Sequence, residues 1–494
     1  MKRVIFCAIL FCFFVVCFSN NLTFYVNAAP YRTLASDSSL EASYDLSFEG
    51  RKYAAIQLKE LLPIMESIDR LTVVNSLNGQ ETVYDAIHRS MLPFYVVRSP
   101  DEPRMWLFFD GTHLFPFYGL SLSGVVAPKG SLEVWVCWEG VPALKALIQR
   151  FSDIYGIPVK VLEVPNTATK LLSMLKAGGK VPDLVMIQCE GFEELVLSKA
   201  FQNVDALYDG FEALYASDVF SIDGKRWAVP FYGDTQLLFY RKDRIPELPD
   251  PLSLHALESL ASSLTDGDFL GLGWNLYSVY WFAPFQIGFG KNSILEPDGS
   301  VKIQDQGTEK ALAFLKSWVD RQIALPLERD AMVSFFTSGK IAMILSGSYS
   351  IPGFEELGIP FGIASYPYDS ETGRWISPML DFKGFGITRK TREPVLSMAL
   401  LEYLTGPGVQ SAFCIPVKKI PVNRAVLADR LESGDALYQL YQHALDVGTF
   451  VPAYNAYDLY KNTLWKLLRF VFLDQMSIPE VLEKGQQIID ANMP

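Results

Sequence analysis

The stretch from Ser131 to Gln188 constrains the fold most, because strand-like and helix-like segments alternate along it. In order, the segments are SLEVWVCW, PALKALIQRFSDIYG, VKVLEV, TATKLLSMLKAGG and PDLVMIQ. The LVMI core of the last segment is apolar throughout, as expected of a strand with both faces covered by helices. A β-α-β-α-β succession predicts parallel strands joined by right-handed crossovers. Ligands of such sheets collect at the carboxyl ends of the strands.

The second half of the chain has the same α/β character, which predicts a second lobe. Its apolar spacing predicts amphipathic helices at EKALAFLKSWVD and YDLYKNTLWKLLRFVF, and strands at IAMIL, IPFGIASYP and GFGIT. The SIPE segment at Ser477–Glu480 matches a capping box with proline in the first helical turn, so a last helix is expected to begin there. We expect the chain to cross between the two lobes more than once.

Composition limits the classes of protein that fit this chain. Half of the 494 residues are hydrophobic, which is more than one core usually holds, so two or three globular units are expected. The formal net charge of −12 repels phosphate backbones and anionic lipid surfaces. Nucleic acid is therefore not an expected partner.

The N-terminus has the features of an export signal. A basic start is followed by an uncharged apolar run from Val4 to Phe18, which is shorter than the roughly 20 residues of a spanning helix. Small residues in VNAA predict cleavage near Ala28 or Ala29, so residues 1–29 are interpreted as a signal peptide. Two alternatives are an uncleaved membrane anchor and a lipid-modified Cys17, although Val16 is larger than the residue that normally precedes such a cysteine.

The residues between the signal and about position 125 predict a separate accessory module (residues 30–125). Residues 31–43 are rich in Ser and Ala and are interpreted as a spacer, and AAIQLKELLPIM is interpreted as a helix. LTVVNSLNGQETVYDAI consists of two alternating runs around Asn78-Gly79, which predicts a β-hairpin. FYVV and RMWLFFDGTHLF add strands, so we expect a small α+β or mostly β module. A connector at Gly124–Gly130 leads to the main domain, residues 131–492.

Cysteine and histidine usage argues against a metal or cofactor. Past the signal only Cys137, Cys189 and Cys414 remain, with no CxxC motif, so a full disulfide framework is excluded and one bridge stays open. The four histidines show no paired ligand spacing. No metal site and no cofactor are expected.

Three acidic residues follow predicted strands of the first lobe. Glu139 ends the first strand, Glu190 ends the third, and Asp234 interrupts WAVPFYGDTQLLFYRKD at Trp227–Asp243. A turn between two strands is the simple interpretation of that interruption, and loop charges or helix N-caps would account for single acids. Three acids at the carboxyl ends of strands in one lobe instead indicate a binding cleft. In this interpretation Gly233 permits a bend in the chain, and Asp234 faces the cleft.

Aromatic residues are concentrated in the second lobe. The segment GLGWNLYSVYWFAPFQIGFG contains seven aromatic residues, among them Tyr280 and Trp281, and Tyr349 lies four residues beyond the predicted strand IAMIL. Such rings either pack in a core or cover the C–H faces of a sugar while their polar tips stay hydrogen-bonded. Tyr280, Trp281 and Tyr349 are candidate stacking residues, with core packing as the alternative.

The chain resembles the extracellular solute-binding proteins of ABC importers, specifically the maltodextrin-binding-protein-like group, over about residues 131–492. The resemblance rests on an ordered set of segments rather than on any single one. They are EVWVCWEG, GGKVPDLVMI, DGKRWAVPFYGDTQLLFYRKD, FFTSGKIAMILSGSY, GFGIT and the terminal VPAY, LWKLLRF and IPEVLEKGQQII. Residues before about 125 match nothing in that pattern.

The resemblance implies a two-lobed periplasmic-binding-protein fold with a multi-strand hinge and sugar bound in the cleft. Carried over by position, the family's sugar-contacting places fall on Glu139, Glu190, Asp234, Tyr280 and Tyr349, with Tyr460 near another. The chain departs from the pattern where the first-lobe stacking tryptophan is replaced by Ile187 or Gln188, and where another acidic place holds Ser278. These departures argue against maltodextrin itself as the ligand.

The leading functional hypothesis is a non-enzymatic, monomeric receptor outside the cytoplasm, periplasmic or at the cell surface. It would capture a mono- or oligosaccharide between its lobes and deliver it to the membrane permease of an ABC transporter. One alternative is a secreted glycoside hydrolase, which would need a pair of carboxylates about 5–10 Å apart. Another is a sensory or adhesive surface protein, favoured by the extra N-terminal module.

Overall fold

The computed structural model describes most of the chain from residue 130 onward and parts of the chain before it. The described residues are 22–26, 29–34, 44–58, 70–75, 80–85, 94–101, 106–110, 112–123, 130–155, 157–208 and 210–493. Residue contacts divide the chain into two compact units. The smaller unit comprises Met1–Glu133, Ala146–Lys160 and Glu393–Tyr403, and the larger unit comprises Val134–Lys145, Val161–Arg392 and Leu404–Pro494. All predicted site residues belong to the larger unit.

The N-terminal part of the smaller unit is a β module in its described residues. Its strands are β1 (Leu22–Val26), β2 (Ala29–Leu34), β3 (Tyr44–Phe48), β4 (Arg51–Gln57), β5 (Arg70–Asn75), β6 (Glu81–Asp85), β7 (Tyr95–Arg98), β8 (Trp106–Phe109) and β9 (Leu114–Ser123). The main path of the sheet is β2-β1-β9-β8-β7-β4-β3, and β5 pairs with β6 and β9. A small apolar core lies on β4, β7 and β8, made by Tyr53, Ala55, Val97 and Leu107.

Two local predictions for this module are wrong, and one is confirmed in part. The helix predicted for AAIQLKELLPIM fails at its start, because residues 54–57 belong to β4, which pairs with β3 and β7 on its two sides. Residues 31–34 of the predicted spacer belong to β2. The strands of the predicted hairpin do pair antiparallel as β5 and β6. Asn78 and Gly79 lie outside the described residues, as do the remaining residues of the predicted helix after Leu58.

The first strand bears on the predicted signal peptide. β1 pairs antiparallel with β2 and parallel with β9. Cleavage near Ala28 or Ala29 would therefore remove one strand of this sheet. Residues 1–21, which include the apolar run and Cys17, lie outside the described residues, so the signal, the anchor and the lipid site stay predictions.

The larger unit is built on a mixed sheet with helices on it. Its strands, together with those at the unit boundaries, are β10 (Leu132–Val136), β11 (Val159–Glu163), β12 (Leu184–Gln188), β13 (Ser221–Ile222), β14 (Lys225–Arg226), β15 (Val229–Arg241), β16 (Leu270–Trp274), β17 (Ala324–Pro326), β18 (Ile341–Gly347), β19 (Phe361–Ala364), β20 (Met379–Ile387), β21 (Ile420–Pro421) and β22 (Thr449–Phe450). The helices are α1 (Val141–Tyr155), α2 (Thr167–Lys176), α3 (Phe192–Leu197), α4 (Leu254–Leu264), α5 (Val279–Gly288), α6 (Gln306–Asp320), α7 (Arg329–Thr337), α8 (Ile351–Glu356), α9 (Pro394–Thr405), α10 (Pro407–Val417), α11 (Arg424–Glu432), α12 (Ala436–Val447), α13 (Asn455–Phe472) and α14 (Ile478–Asn492).

The predicted alternation of strands and helices is confirmed. β10 and β12 pair in parallel, and the predicted capping box at Ser477 and Glu480 opens α14. The strand order is β11-β10-β12-β20-β15-β18-β16-β17, with β19 and β21 also on β15, and β22 on β20. We call β11, β10, β12 and β20 the first half-sheet, and β18, β16, β17 and β19 the second half-sheet. Among the described residues, no helix is both long and apolar enough to cross a membrane.

One long strand belongs to both half-sheets. The first part of β15, from Val229 to Thr235, pairs antiparallel with β20. Its second part pairs antiparallel with β18 from Gln236 to Tyr240, and with β19 from Leu238 to Arg241. The chain therefore passes from one half-sheet to the other within β15, which is the two-lobed arrangement predicted from the sequence.

The prediction of a strand broken at Gly233 and Asp234 is wrong. β15 is continuous over thirteen residues, and Gly233 and Asp234 are paired opposite Phe382 and Asp381 of β20. Glycine is required there for space rather than for a bend, because a Cβ at Gly233 would lie 2.7 Å from the ring of Phe382. The interruption in the apolar pattern therefore marks a buried polar site within a strand.

Candidate ligand-binding site

One pocket of the larger unit is lined by residues that follow strands of both half-sheets. Its lining residues are Glu190, Asn275, Tyr277, Ser278, Val279, Tyr280, Glu328, Lys461, Asn462 and Trp465. The pocket encloses about 320 Å³, at the lower end of the range for small-molecule sites. We call it the Tyr280 pocket. A wider depression of about 770 Å³ beside α14 contains none of the predicted site residues.

The topology explains why these side chains meet. β16 pairs in parallel with β17 and with β18, so the carboxyl ends of these strands lie at one edge. Asn275 follows β16, and Glu328 lies two residues beyond β17. Tyr349 lies two residues beyond β18, at the same edge, but it does not line the pocket. Glu190 follows β12 of the first half-sheet in the same way. Ligands of open α/β sheets bind outside the carboxyl ends of strands, and this pocket has that location.

Asp234 is not the exposed carboxylate that the sequence suggested. Its side chain is only 4% exposed, and both carboxylate oxygens accept hydrogen bonds from Lys419 Nζ at 2.8 Å. Ser348 donates a further bond to Asp234 at 2.7 Å. Lys419 also contacts Glu139 at 3.2 Å, and its ammonium lies 5.2 Å from the ring centre of Tyr232. Asp234 is therefore neutralised by a buried lysine that joins it to Glu139.

A second, partly buried ion pair lies beside the first. Asp381, which faces Asp234 across the two strands, pairs with Lys383 two residues further along β20. Like charges directly opposite each other on neighbouring strands repel. Each of the two carboxylates is paired with its own lysine, which offsets this repulsion. Burial, together with the charges of Asp234 and Glu190, raises the pKa of the Asp381 carboxyl, against the opposing effect of Lys383. About a quarter of the Asp381 side chain remains exposed, against almost none of Asp234.

Glu190 is brought to the pocket in an ion pair. Its carboxylate pairs with Lys461 of α13, and the Lys461 ammonium also lies 3.4 Å from Asp458. The neighbouring Glu193 accepts a hydrogen bond from the backbone N–H of Asn455, at the start of α13. These contacts connect the loop after β12 with α13, and they leave Glu190 nearly half exposed to a ligand.

Some of the predicted aromatic residues lie at the pocket, and others lie in the hydrophobic core. Tyr280 lines the pocket, and its backbone carbonyl accepts a bond of 2.7 Å from the buried Gln236 side chain of β15. Tyr349 is partly buried, with the Arg329 guanidinium 5.1 Å from its ring centre. Burial raises the pKa of the Tyr280 hydroxyl well above its usual value, and the nearby Asp381 and Tyr349 add to this effect.

Trp281 and Tyr460 lie elsewhere than the sequence prediction placed them. Trp281 is 4% exposed and packs in the main hydrophobic core. Tyr460 is fully buried, and its hydroxyl donates to the buried Gln286 side chain. Neither residue lines the Tyr280 pocket. Both side chains therefore serve packing, which for Trp281 was the alternative stated from the sequence.

Sequence reasoning missed a stripe of pocket residues on α13. Lys461 and Trp465 line the pocket, and Arg469 follows four residues later on the same face. The Arg469 guanidinium lies 5.3 Å from the ring centre of Trp465 and 4.6 Å from that of Tyr277, and it pairs with Glu328 at 2.8 Å. Arg469 thus holds two aromatic walls of the pocket in place. The i, i+4, i+8 spacing of Lys461, Trp465 and Arg469 is the sequence pattern that could have identified this face of the helix.

Lys419, Asp381 and Lys383 were also missed. Asp381 and Lys383 interrupt the apolar strand MLDFKGFGI, which is the same kind of signal that identified Asp234. Lys419 lies in an ordinary-looking VKKIP segment, and its role depends on a partner 185 residues away in the chain. Local sequence patterns carry no information about such a partner.

The two half-sheets share β15, and a pocket of polar and aromatic residues lies at the ends of their strands. This arrangement is that of a protein that binds a ligand in a cleft. The model of the family described as bacterial extracellular solute-binding protein matches residues 146–439. This match spans more than half of the chain, so the chain belongs to the bacterial extracellular solute-binding protein family. Membership of an extracellular family indicates a location outside the cytoplasm.

Curated relatives match at low identity. The galactooligosaccharide-binding protein of Bacillus subtilis (strain 168) is 24% identical over 326 residues, which cover 63% of this chain and 77% of that protein. The maltodextrin-binding protein MdxE of the same organism is 25% identical over 223 residues, covering 42% of this chain and 52% of that protein. The chain thus spans about three quarters of the first relative and about half of the second.

Solved structures share the fold. The maltose/maltodextrin-binding domain MalE from Bdellovibrio bacteriovorus, bound to maltotriose, matches with a TM-score of 0.63 at 22% identity, covering 73% of this chain and 99% of that domain. The Thermus thermophilus maltotriose-binding protein matches with a TM-score of 0.64 at 20% identity, with the same coverage. These likenesses confirm the two-lobed fold.

Proposed function

We propose that this protein captures a small saccharide in the Tyr280 pocket and releases it unchanged to the membrane permease of an ABC transporter. One observation carries the proposal: carboxylate, amide and aromatic side chains from both half-sheets line one pocket. Because Glu190 follows a strand of the first half-sheet and Tyr280 follows one of the second, a ligand that contacts both stabilises the closed form of the protein.

The pocket chemistry suits an uncharged polyol. Glu190 and Glu328 accept hydroxyl donors, and charge-assisted bonds of this kind are the stronger ones. Tyr277, Tyr280 and Trp465 supply flat faces that cover C–H groups and exclude water. The names of the relatives, which are galactooligosaccharide-binding and maltodextrin-binding proteins, support a saccharide as the ligand.

We further propose that the site performs no chemistry. A glycoside hydrolase needs one carboxylic acid that can give up a proton and a second carboxylate opposite it. Asp234 is unsuited to either role, because Lys419 and Ser348 occupy its oxygens. The named relatives are binding proteins, which supports the same conclusion. We expect no release of reducing sugar from any oligosaccharide that binds.

Several features of the sequence complete the proposal. The protein is exported by its N-terminal signal, acts in the periplasm or at the cell surface as a monomer, and uses the accessory module at residues 30–125 for a separate task. A lipid anchor on Cys17 is the alternative to cleavage of the signal. Cleavage is measured on the exported protein by N-terminal sequencing.

A saccharide panel tests the proposed function. Thermal unfolding of the purified protein is recorded with maltose, maltotriose, longer maltodextrins and galactooligosaccharides. A ligand that binds only the folded state, present at 100 times its Kd, stabilises that state by about 2.7 kcal/mol, so a clear rise in melting temperature is expected for at least one saccharide. Titration calorimetry then gives the Kd. No rise with any member of the panel would contradict the proposal.

Gly347 offers a test of Tyr349. A Cβ at Gly347 would lie 2.1 Å from the Tyr349 ring, so Gly347→Ala must displace that ring. The backbone at Gly347 has φ −80° and ψ 154°, which alanine adopts freely, so folding should change little. We expect the Kd for the best panel saccharide to rise about tenfold, equal to about 1.4 kcal/mol. Gly353→Ala is the control, since a Cβ there meets no atom within 4 Å. Equal Kd values for both variants would mean that Tyr349, which lies at the same strand edge as the pocket, does not contact the ligand.

A further inference from the structure

Asn275 occupies a key position in the Tyr280 pocket. It directly follows β16, the strand flanked in parallel by β17 and β18, and so lies at the ligand edge of the second half-sheet. The turn that holds it is fixed by backbone bonds, in which Leu276 N–H donates to Trp274 and Ser278 N–H donates to the Asn275 carbonyl. These bonds fix the backbone at Asn275 at the ligand edge of the half-sheet.

The side-chain carbonyl of Asn275 is buried without a hydrogen-bond donor in the described part of the chain. The residue is 8% exposed and lines the pocket, and its Oδ1 is one of the buried side-chain atoms left without a hydrogen bond among the described residues. A buried carbonyl without a partner is unfavourable, and the great majority of buried polar groups are paired. Asn423 shows the usual arrangement: at 7% exposure, its amide donates to Thr405 and accepts from Ala425.

We propose that Asn275 is a ligand-binding residue that recognises a pair of adjacent hydroxyl groups on the saccharide. A side-chain amide presents one acceptor and one donor about two ångströms apart, and neighbouring sugar hydroxyls match both. This inference rests on the proposed function and adds the group that fixes the orientation of the ring. Glu190 and Glu328 line the same pocket, and being acceptors only, they lack the donor that this recognition needs.

The test exploits the opposite effects expected on stability and binding. Asn275→Leu keeps the side-chain shape and removes the unpaired carbonyl, so the ligand-free protein should melt about 2–4 °C higher. The same variant should bind maltotriose or the best panel saccharide about tenfold more weakly. Asn423→Leu is the matched control: it should melt at a lower temperature and keep its affinity. Asn275→Ala is the second variant, with the same loss of affinity expected.

Monodeoxy analogues of the best saccharide, each lacking one hydroxyl group, test which hydroxyl groups Asn275 contacts. Wild-type protein should bind one or two of these analogues about tenfold more weakly than the parent sugar, while Asn275→Leu should bind them and the parent equally. Unchanged affinity of Asn275→Leu for the parent sugar, or melting below wild type as for Asn423→Leu, would overturn the inference and leave the proposed function intact. Failure of the wild-type protein to bind any saccharide would instead overturn the proposed function, and this inference with it.

Discussion

Replacing Lys419 by methionine is expected to lower the free energy of unfolding of the larger unit by about 3–5 kcal/mol, because it leaves a buried charge without its partner. Lys419 is fully buried and Asp234 is 4% exposed, so neither charge is screened by water. Methionine matches the length of the lysine stem, and the loss therefore reports on charge rather than volume. Thermal and urea unfolding, followed by circular dichroism at pH 7, measure it.

A double variant isolates the electrostatic origin of this loss. In Lys419→Met with Asp234→Asn both charges are gone, so most of the lost stability should return. Lys418→Met is the matched neighbour: Lys418 forms only a partly exposed ion pair with Glu355 at 3.5 Å, which is worth about 0–1 kcal/mol. Equal free energies of unfolding for Lys419→Met and Lys418→Met would mean that the buried Lys419–Asp234 pair does not stabilise β15.

The fold was predictable where it depends on local pattern. The apolar spacing of α1 and α2 and the apolar β12 are properties of short segments, and each formed as predicted. The accessory module was harder, because AAIQ has no strong strand pattern and becomes β4 through its pairing with β3 and β7. Pairing between strands distant in sequence overrides weak local propensity.

The candidate site was predictable only in part. Glu190 follows β12 as predicted and lines the pocket, because strand ends can be found from the sequence, whereas Asp234 lies inside β15. Tyr280 and Trp281 are adjacent on α5, and adjacent helical positions differ by about 100° in direction, so one lines the pocket and the other enters the core. The α5 segment is apolar all round, and its sequence therefore cannot show which side faces the pocket.

Replacing Trp465 by alanine is expected to raise the Kd for the best panel saccharide by about thirtyfold, or roughly 2 kcal/mol, because buried aromatic contacts dominate binding energies. Trp465 lines the pocket, and 47% of its surface is exposed. A sugar that stacks on the ring would cover this exposed surface. Folding buries only the other part of the ring. The melting temperature of the ligand-free variant should therefore change little.

The same helix provides the control for this prediction. Phe470 is also on α13 and is 36% exposed, but it does not line the pocket, so Phe470→Ala should keep the wild-type Kd. Trp465→Phe retains a flat ring and should recover part of the affinity, because stacking needs the face rather than the indole N–H. Arg469 lies against the rings of Trp465 and Tyr277 and pairs with Glu328, and we expect the pair with Glu328 to persist in each variant. Calorimetric titration of the three variants with one saccharide decides the matter: equal Kd values for Trp465→Ala and Phe470→Ala would mean that the α13 face of the pocket does not contact the ligand.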